Sequence, residues 1–415
     1  MSPFSLLREL FTRAVAVADP MVIVADHLPP RPAGRVVVVG AGKASARMAE
    51  AVEAAWGPCE GLVITRSGHA RPCQGIEIVE AAHPVPDAAG AAATKRMLSL
   101  LADLGEDDFV LALISGGASA LLYAPAQGLT LEDKKAVNAA LLASGAPIGE
   151  MNRVRKHLSH VKGGQLAAAA YPASMLCLMI SDVPGDEPSI IGSGPTVGEA
   201  SAPSTARDIL GKWKIPISPQ LDAALRESTV VASADPRLAS TESRVIAAPT
   251  QSIAAAAALA KAQGCEVIVL GTDLEGEARS VARDQAQLAL RHRAERPAGS
   301  PSLLLLSGGE LTVTRTGDGT GGPNAEFCLA LAIALDGAEG IYAIACDTDG
   351  VDGAAEVAGA VIGPETLAKA HAAGLDATAA LPNNDAHSFF QAIGDQVITG
   401  PTLTNVNDFR AILIV

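Results

Sequence analysis

The sequence predicts an α/β protein in two layered halves with a ligand cleft between them. Three observations carry this. Short, continuously apolar runs alternate with alanine-rich stretches of helical length, the pattern of parallel strands covered on both faces. At 415 residues the chain is long for one core. A polar, proline-bearing stretch, "STVVASADPRLASTESR", divides two such series near residue 236, giving expected domains at 1–236 and 237–415.

In chain order, "MSPFSLLRELFTRAVAVADP" has apolar residues at helical spacing, interrupted by Arg8, Glu9 and Arg13, and lacks the unbroken core of a signal peptide. Strands are expected at "RVVVVG" (35–40), "GLVIT" (61–65), "FVLALIS" (109–115) and "MLCLMIS" (175–181). The second series runs "RVIAAP", a helix near 250–263, "CEVIVLG", a helix near 276–293, "SLLLLSGG" and "IYAIACDTDG". The basic "RHRAERPAGSPS" suits an exposed loop. The apolar stretch "AAAAYPASMLCLMI" is too short to span a bilayer and is broken by Pro172.

Composition removes several classes. A net charge of −14 with 3% aromatic residues leaves neither a basic face nor stacking platforms for nucleic acid. The six cysteines are scattered without metal-ligand spacing, and Cys177, Cys328 and Cys346 lie in apolar runs. They read as packed, reduced thiols of a cytoplasmic protein. Nothing in the sequence forbids a homodimer.

In open parallel sheets chemistry sits beyond the carboxyl ends of the strands, and almost every strand here ends in small, polar or acidic residues. "GAGKAS" follows the first, and "SGGASA" (115–120), "SDVPGDEPSIIGSGPT" (181–196), "SGGE" (307–310) and "CDTDGVDG" (346–353) follow others. Such loops can cradle an anion with backbone N–H groups, although tight turns need glycine for structural reasons too. The first loop nearly matches the dinucleotide fingerprint, but Ser45 replaces its third glycine. The second strand ends in Thr65-Arg66, where a ribose-binding carboxylate is required. The P-loop pattern fails as well, since Val37 stands where glycine is needed and Ala44 where Ser or Thr is needed. Lys43 is then either a solvated surface lysine or a point charge aimed at a phosphate in transfer.

"MNRVRKHLSHVKGGQLAAA" (151–169) concentrates Arg153, Arg155, Lys156 and Lys162 in an acidic chain, suiting a carboxylate or phosphate ligand. His157 and His160 lie one turn apart with nothing to complete a metal set, and read as structural. Asp182, Asp186, Asp347, Asp349, Asp352, Asp385 and Asp408 fall in loop contexts, which fits a magnesium-bound nucleotide better than a calcium cage.

Eight segments, "GAGKAS", "SGGASALL", "NRVRKHLSHVKGGQLA", "ISDVPGDEPSIIGSGPT", "SGGELTVT", "GGPNAEF", "DTDGVDG" and "TGPTLTNVNDFRAIL", together resemble the glycerate 2-kinase family. These are two-domain enzymes with a C-terminal MOFRL domain, often labelled hydroxypyruvate reductases. The resemblance spans nearly the whole chain. It implies a Rossmann-like N-terminal domain, a smaller α/β C-terminal domain with its MOFRL region at about 300–410, and a shared cleft. It also implies transfer of the ATP γ-phosphoryl group to the 2-hydroxyl of D-glycerate with Mg2+. On it, the catalytic residues are expected to be Lys43, Arg155 and Asp182, with Ser115, Gly116, Gly117, Ser119 and Arg153 binding substrate. Nucleotide is expected at Gly40, Gly42, Ser307, Gly308, Gly309, Glu310, Asn324, Glu326, Asp349 and Asn405, and metal at Asp182 and Asp186. One departure stands out: many members have Gly-Gly-Arg-Asn-Gln-Glu where this chain has Gly-Gly-Pro-Asn-Ala-Glu (321–326), so Pro323 replaces an arginine. An NAD(P)H-dependent hydroxypyruvate reductase and a non-catalytic anion-binding protein remain the alternatives.

Overall fold

The computed structural model describes residues 2–353 and 355–415. It divides the chain into two compact units, one of residues 20–246 and one formed by residues 1–19 with 247–415.

The 20–246 unit is built on a six-stranded sheet. Its strands are β1 (Val36–Ala41), β2 (Glu60–Arg66), β3 (Ile76–Ala81), β4 (Phe109–Ile114), β5 (Ser174–Ile180) and β6 (Thr241–Ala247), in the order β3-β2-β1-β4-β5-β6. The β1–β2, β1–β4, β2–β3 and β4–β5 pairs are all parallel. All six residues of β1 are buried, as a central strand covered on both faces requires. β3, "IEIVEA", is the strand the apolar-run pattern misses, because its exposed Glu77 and Glu80 break the run.

The second unit is assembled differently. Its strands are β7 (Glu266–Gly271), β8 (Gly276–Glu277), β9 (Leu303–Ser307), β10 (Leu311–Thr312), β11 (Ile341–Asp347), β12 (Gly359–Ile362), β13 (Gln396–Val397) and β14 (Asp408–Ile414). A six-stranded sheet runs β13-β12-β11-β14-β9-β7, and β8 and β10 form a separate pair. This sheet is mixed: β7–β9 is parallel, while β9–β14, β11–β14, β11–β12 and β12–β13 are antiparallel. The helix Pro323–Leu335 is apolar around its whole circumference and almost entirely buried, so it lies at the centre of this unit's core.

Two expectations about the boundary change. "RVIAAP", expected to open the second half, contributes to β6 at the edge of the first sheet, so the division lies ten residues beyond 236. The N-terminal helix Pro3–Ala16 belongs with the C-terminal unit, where Leu7, Leu10 and Phe11 share a core with Ile253, Leu304 and Phe409. An amphipathic helix joins whichever unit completes its apolar face, and chain order does not decide that.

Candidate functional site

The first glycine loop is closed to anions. A Cβ at Gly40 would lie 2.4 Å from the Leu113 carbonyl oxygen, and one at Gly42, whose φ is +144°, would lie 2.0 Å from the Ser115 Oγ. Both glycines are thus required by the close approach of β1 to β4 and its following loop. The N–H groups that follow are all used internally. Gly42 donates to the Ile64 carbonyl at 3.1 Å, Lys43 to that of Gly116 at 2.8 Å and Ser45 to that of Gly42 at 3.2 Å. Ala44 N–H donates to the Ser115 Oγ at 3.0 Å. The expected nucleotide-binding role of Gly40 and Gly42 therefore gives way to a packing role, because the loop has no backbone N–H left for a phosphate. What this loop presents is the half-buried side chain of Lys43. A Cβ on Gly117 would lie 3.3 Å from the Lys43 Cγ and 3.0 Å from the His83 ring, so both side chains flank the second loop.

The second loop has the opposite character. The N–H groups of Gly116 and Gly117 make no hydrogen bond within the described residues. The Ser119 hydroxyl is 2.9 Å from that of Ser193 and accepts from the Lys162 ammonium at 3.2 Å. Lys162 also donates to the Ser119 carbonyl at 2.6 Å.

The basic segment folds as the helix Ile148–His157 and is sorted by helical spacing. Arg153, expected to bind substrate, is exposed; Arg155 is half-buried. Lys156 is buried in an ion pair with Glu199 at 2.7 Å. Arg155 donates to the side-chain oxygens of Asn138, at 3.3 Å, and Asn152, at 3.2 Å. His157 and His160 are bound by the hydroxyls of Ser228, Ser201 and Thr229, in agreement with a structural role.

Lys134 was not among the expected site residues. It is 2% exposed, its ammonium has no hydrogen-bond partner, and it sits 4.6 Å from the centre of the Tyr123 ring. Burial, and then the charge of Arg155, push its pKa down to about 7. Lys162, 1% exposed, is held well below the ordinary lysine value by burial, Lys134 and Arg155, and burial lowers Arg155 itself. Among the described residues, none of the three has a carboxylate partner. A sequence signal for Lys134 does exist. Thr130 and Asp133 form a capping box that starts the helix Leu131–Ser144, which puts residue 134 one and two turns before Val137 and Leu141 on its apolar face.

After β5, Asp182 and Asp186 are both half-buried. Asp186 has φ +53°, and its buried Oδ1 has no hydrogen-bond partner. No group of three or more His, Cys, Asp or Glu able to hold a metal occurs among the described residues. Magnesium, unlike calcium, needs only one or two protein carboxylates when phosphate oxygens and water complete its shell.

In the C-terminal unit most expected nucleotide residues are inside the protein. Asp352 caps the helix Pro323–Leu335, accepting from the N–H groups of Asn324 at 2.9 Å and Ala325 at 2.8 Å. Pro323 fills the first helical position, where its missing N–H costs nothing. The Asn324 amide bridges Asp352 and Asp408, and Asp408 pairs with the fully buried Arg410 at 2.9 Å. Burial raises the Asp408 pKa to about 6 against the opposing charge of Arg410. Arg410 also reaches the Ser307 hydroxyl and the carbonyls of Gly308 and Gly309. Glu326 is held by Arg279 at 2.6 Å and Asn384 at 3.0 Å. Asp349 and Asn405 are buried and each accepts from an N–H two residues on. Of the expected residues here, Glu310 alone is exposed. The side chains of Asn324, Glu326, Asp349 and Asn405 therefore shape these loops from within, because each satisfies polar groups that the folded loops bury.

A parallel α/β unit with cationic side chains around an open glycine loop has the charge and the free N–H groups that suit a small anion. Residues 6–226 match a family model described as a domain of unknown function, DUF4147, and residues 303–408 match the MOFRL family. A protein of Agrobacterium vitis named "Putative hydroxypyruvate reductase" is 51% identical over all of this chain and 95% of its own length. The D-glycerate 2-kinase of Thermotoga maritima is 38% identical over 98% of this chain and 97% of its own. A crystal structure of glycerate kinase from that organism matches with a TM-score of 0.88 at 37% identity, covering 99% of each chain. The chain belongs to the DUF4147/MOFRL glycerate kinase family. No helix among the described residues is long and apolar enough to cross a membrane.

Proposed function

We propose that this protein is a glycerate 2-kinase, transferring the γ-phosphoryl group of ATP to the 2-hydroxyl of D-glycerate to give 2-phosphoglycerate and ADP. The observation that carries the reading is the set of cations, Lys43, Lys134, Arg155 and Lys162, gathered around or packed behind the Ser115–Ser119 loop in a chain of net charge −14. Phosphoryl transfer passes through a loose transition state, so the protein's task is to position the reactants and neutralise charge. Lys43 supplies a point charge to the transferring group. The open N–H groups of Gly116 and Gly117, beside Ser115 and Ser119, receive an anionic oxygen of the substrate, and Arg155 offsets the remaining charge. With arginine absent at 323, Arg155 is the inward-facing cation assigned to this task, and Arg153 is exposed.

The orphaned Asp186 Oδ1 fits a magnesium ion, which Asp182 and Asp186 would hold. When bound, that ion neutralises charge on the nucleotide phosphates. Asp182 also has the chemistry to orient the acceptor hydroxyl. Nucleotide contact is assigned to the loops at 307–310, 321–326 and 347–353, with Glu310 presenting its side chain and the buried network holding their shape. Six free cysteines, five of them buried, support a cytoplasmic setting.

Hydroxypyruvate reduction is the second reading, favoured by the name of the 51% identical relative. Against it stand the four committed N–H groups at 42–45 and the absence of a ribose-binding carboxylate after β2. A paired turnover assay separates the two: D-glycerate with MgATP, following ADP and the phosphoglycerate isomer, and hydroxypyruvate with NADH or NADPH. ADP with 2-phosphoglycerate and no cofactor oxidation is the expected result. Cofactor oxidation without ADP refutes the kinase reading.

A further inference from the structure

The fold supplies a counter-ion where a buried charge is structural, and omits one where three cations converge. Lys156 and Glu199 neutralise each other at 2.7 Å in the same region. The polar and ring partners of Lys134, Lys162 and Arg155 are neutral: the Tyr123 ring, the Ser119 carbonyl and hydroxyl, and the side-chain oxygens of Asn138 and Asn152. The charges they meet are one another's, and His160 feels that of Lys134. A buried ammonium has three N–H donors to satisfy, and those of Lys134 meet no acceptor. The two asparagines take Nε and Nη1 of Arg155 and leave Nη2 uncommitted. Three like charges brought together inside a protein repel one another and are costly to desolvate, so their arrangement points to an anion that completes it.

We propose that Lys134, Lys162 and Arg155 form an internal oxyanion pocket that receives the carboxylate of a small hydroxy-acid substrate. The identity of the acid rests on the kinase reading above; the charge chemistry of the pocket does not. Lys162 fastens the pocket to the loop that carries the open Gly116 and Gly117 N–H groups. A carboxylate is the fitting occupant because it stays ionised through the neutral range and accepts several charge-assisted hydrogen bonds at once. Lys134 and Lys162 are thereby substrate-binding residues.

The test is ligand-induced thermal stabilisation of the full-length protein without nucleotide. Both tryptophans, Trp56 and Trp213, lie in the 20–246 unit, so their fluorescence follows the relevant transition. D-glycerate, D-lactate, inorganic phosphate and glycerol are compared on the wild-type protein and on the Lys134→Met and Lys162→Met variants. The expected result is that D-glycerate raises the wild-type midpoint and neutral glycerol does not. Each variant then binds D-glycerate roughly tenfold or more weakly, as expected for loss of a charge-assisted contact. Unliganded Lys134→Met is expected to melt at or above the wild-type temperature, since it sheds an uncompensated buried charge; a purely structural lysine would instead leave a less stable protein.

Failure of every anion to stabilise the wild-type protein overturns the pocket. Stabilisation by phosphate but by neither carboxylate overturns the carboxylate assignment, as does an unliganded Lys134→Met protein far less stable than the wild type. Stabilisation by lactate but not D-glycerate, lost in the variants, upholds the pocket and removes glycerate as its ligand. These wild-type arms decide the matter even where a variant does not fold.

Discussion

The burial of Lys134 makes the stability of the N-terminal unit depend on pH in a calculable way. Its pKa is pushed down to about 7 in the folded protein, against an ordinary lysine value of about 10.4 in the unfolded chain. Between those values the unfolded chain binds the extra proton, so stability rises with pH across that window. Above about 10.4 the group is neutral in both states and contributes nothing. Below about 7 the full cost is felt, on the order of 5 kcal/mol. Solvent screening does not reduce this, since the side chain is 2% exposed. The penalty works out at about 4 kcal/mol at pH 7 and about 2 kcal/mol at pH 9. Lys134→Met removes it, whatever constant packing difference methionine adds. Urea unfolding followed by tryptophan fluorescence at both pH values should show the stability gap between variant and wild type narrowing by about 2 kcal/mol on going to pH 9. Relief of Lys162 in the variant changes the size of the gap but not its direction. A gap that stays constant with pH would refute the burial of a titrating ammonium at this position.

The other predictions concern both units. Lys43→Ala is expected to lower kcat by two or more orders of magnitude with unfolding unchanged, and near-normal turnover would remove Lys43 from the mechanism. Asp182→Asn should raise the Mg2+ concentration needed for half-maximal rate, and an unchanged metal titration reassigns the residue. Asp352→Ala strips the acceptor from two helix N–H groups and the carboxylate from beside His387, which keeps the Asp352 carbonyl, and calorimetry should find a loss of at least about 2 kcal/mol in the C-terminal unit. Gly42→Ala would set a methyl group 2.0 Å from the Ser115 Oγ at a φ of +144°, and soluble expression should be lost; wild-type solubility and activity would contradict that packing.

The elements themselves were legible because their signals are local. The apolar runs at 35–40, 109–115 and 175–181 became the strands Val36–Ala41, Phe109–Ile114 and Ser174–Ile180, and Ser-Gly-Gly after β4 became a loop with open donors. The site was legible in residue type more than in role. Lys43 flanks the open loop and Arg155 is half-buried, whereas Arg153, two residues from Arg155 on the same helix, is exposed. Lys134 escaped notice because a lysine is ordinarily read as solvated, even though Val137 and Leu141 mark its helix face as buried.

By itself, then, the sequence determined the α/β class, the positions of most strands along the chain and the loops that could meet an anion. Hydrophobic periodicity, turn residues and net charge are properties of short segments or of the whole sum, and need no knowledge of which segments meet. Only the tertiary structure decided that β6 closes the first sheet, that the N-terminal helix joins the C-terminal unit and that the second sheet is mixed. It likewise decided that the N–H groups of the first glycine loop are consumed while those of the second are not, and that Lys156 receives a counter-ion while Lys134 does not. Each of those outcomes depends on partners far apart in the chain: Ser115 for Ala44, Glu199 for Lys156, Arg155 for Lys134. A polar group's energy is set by what replaces its water, and that is known only once the chain has folded.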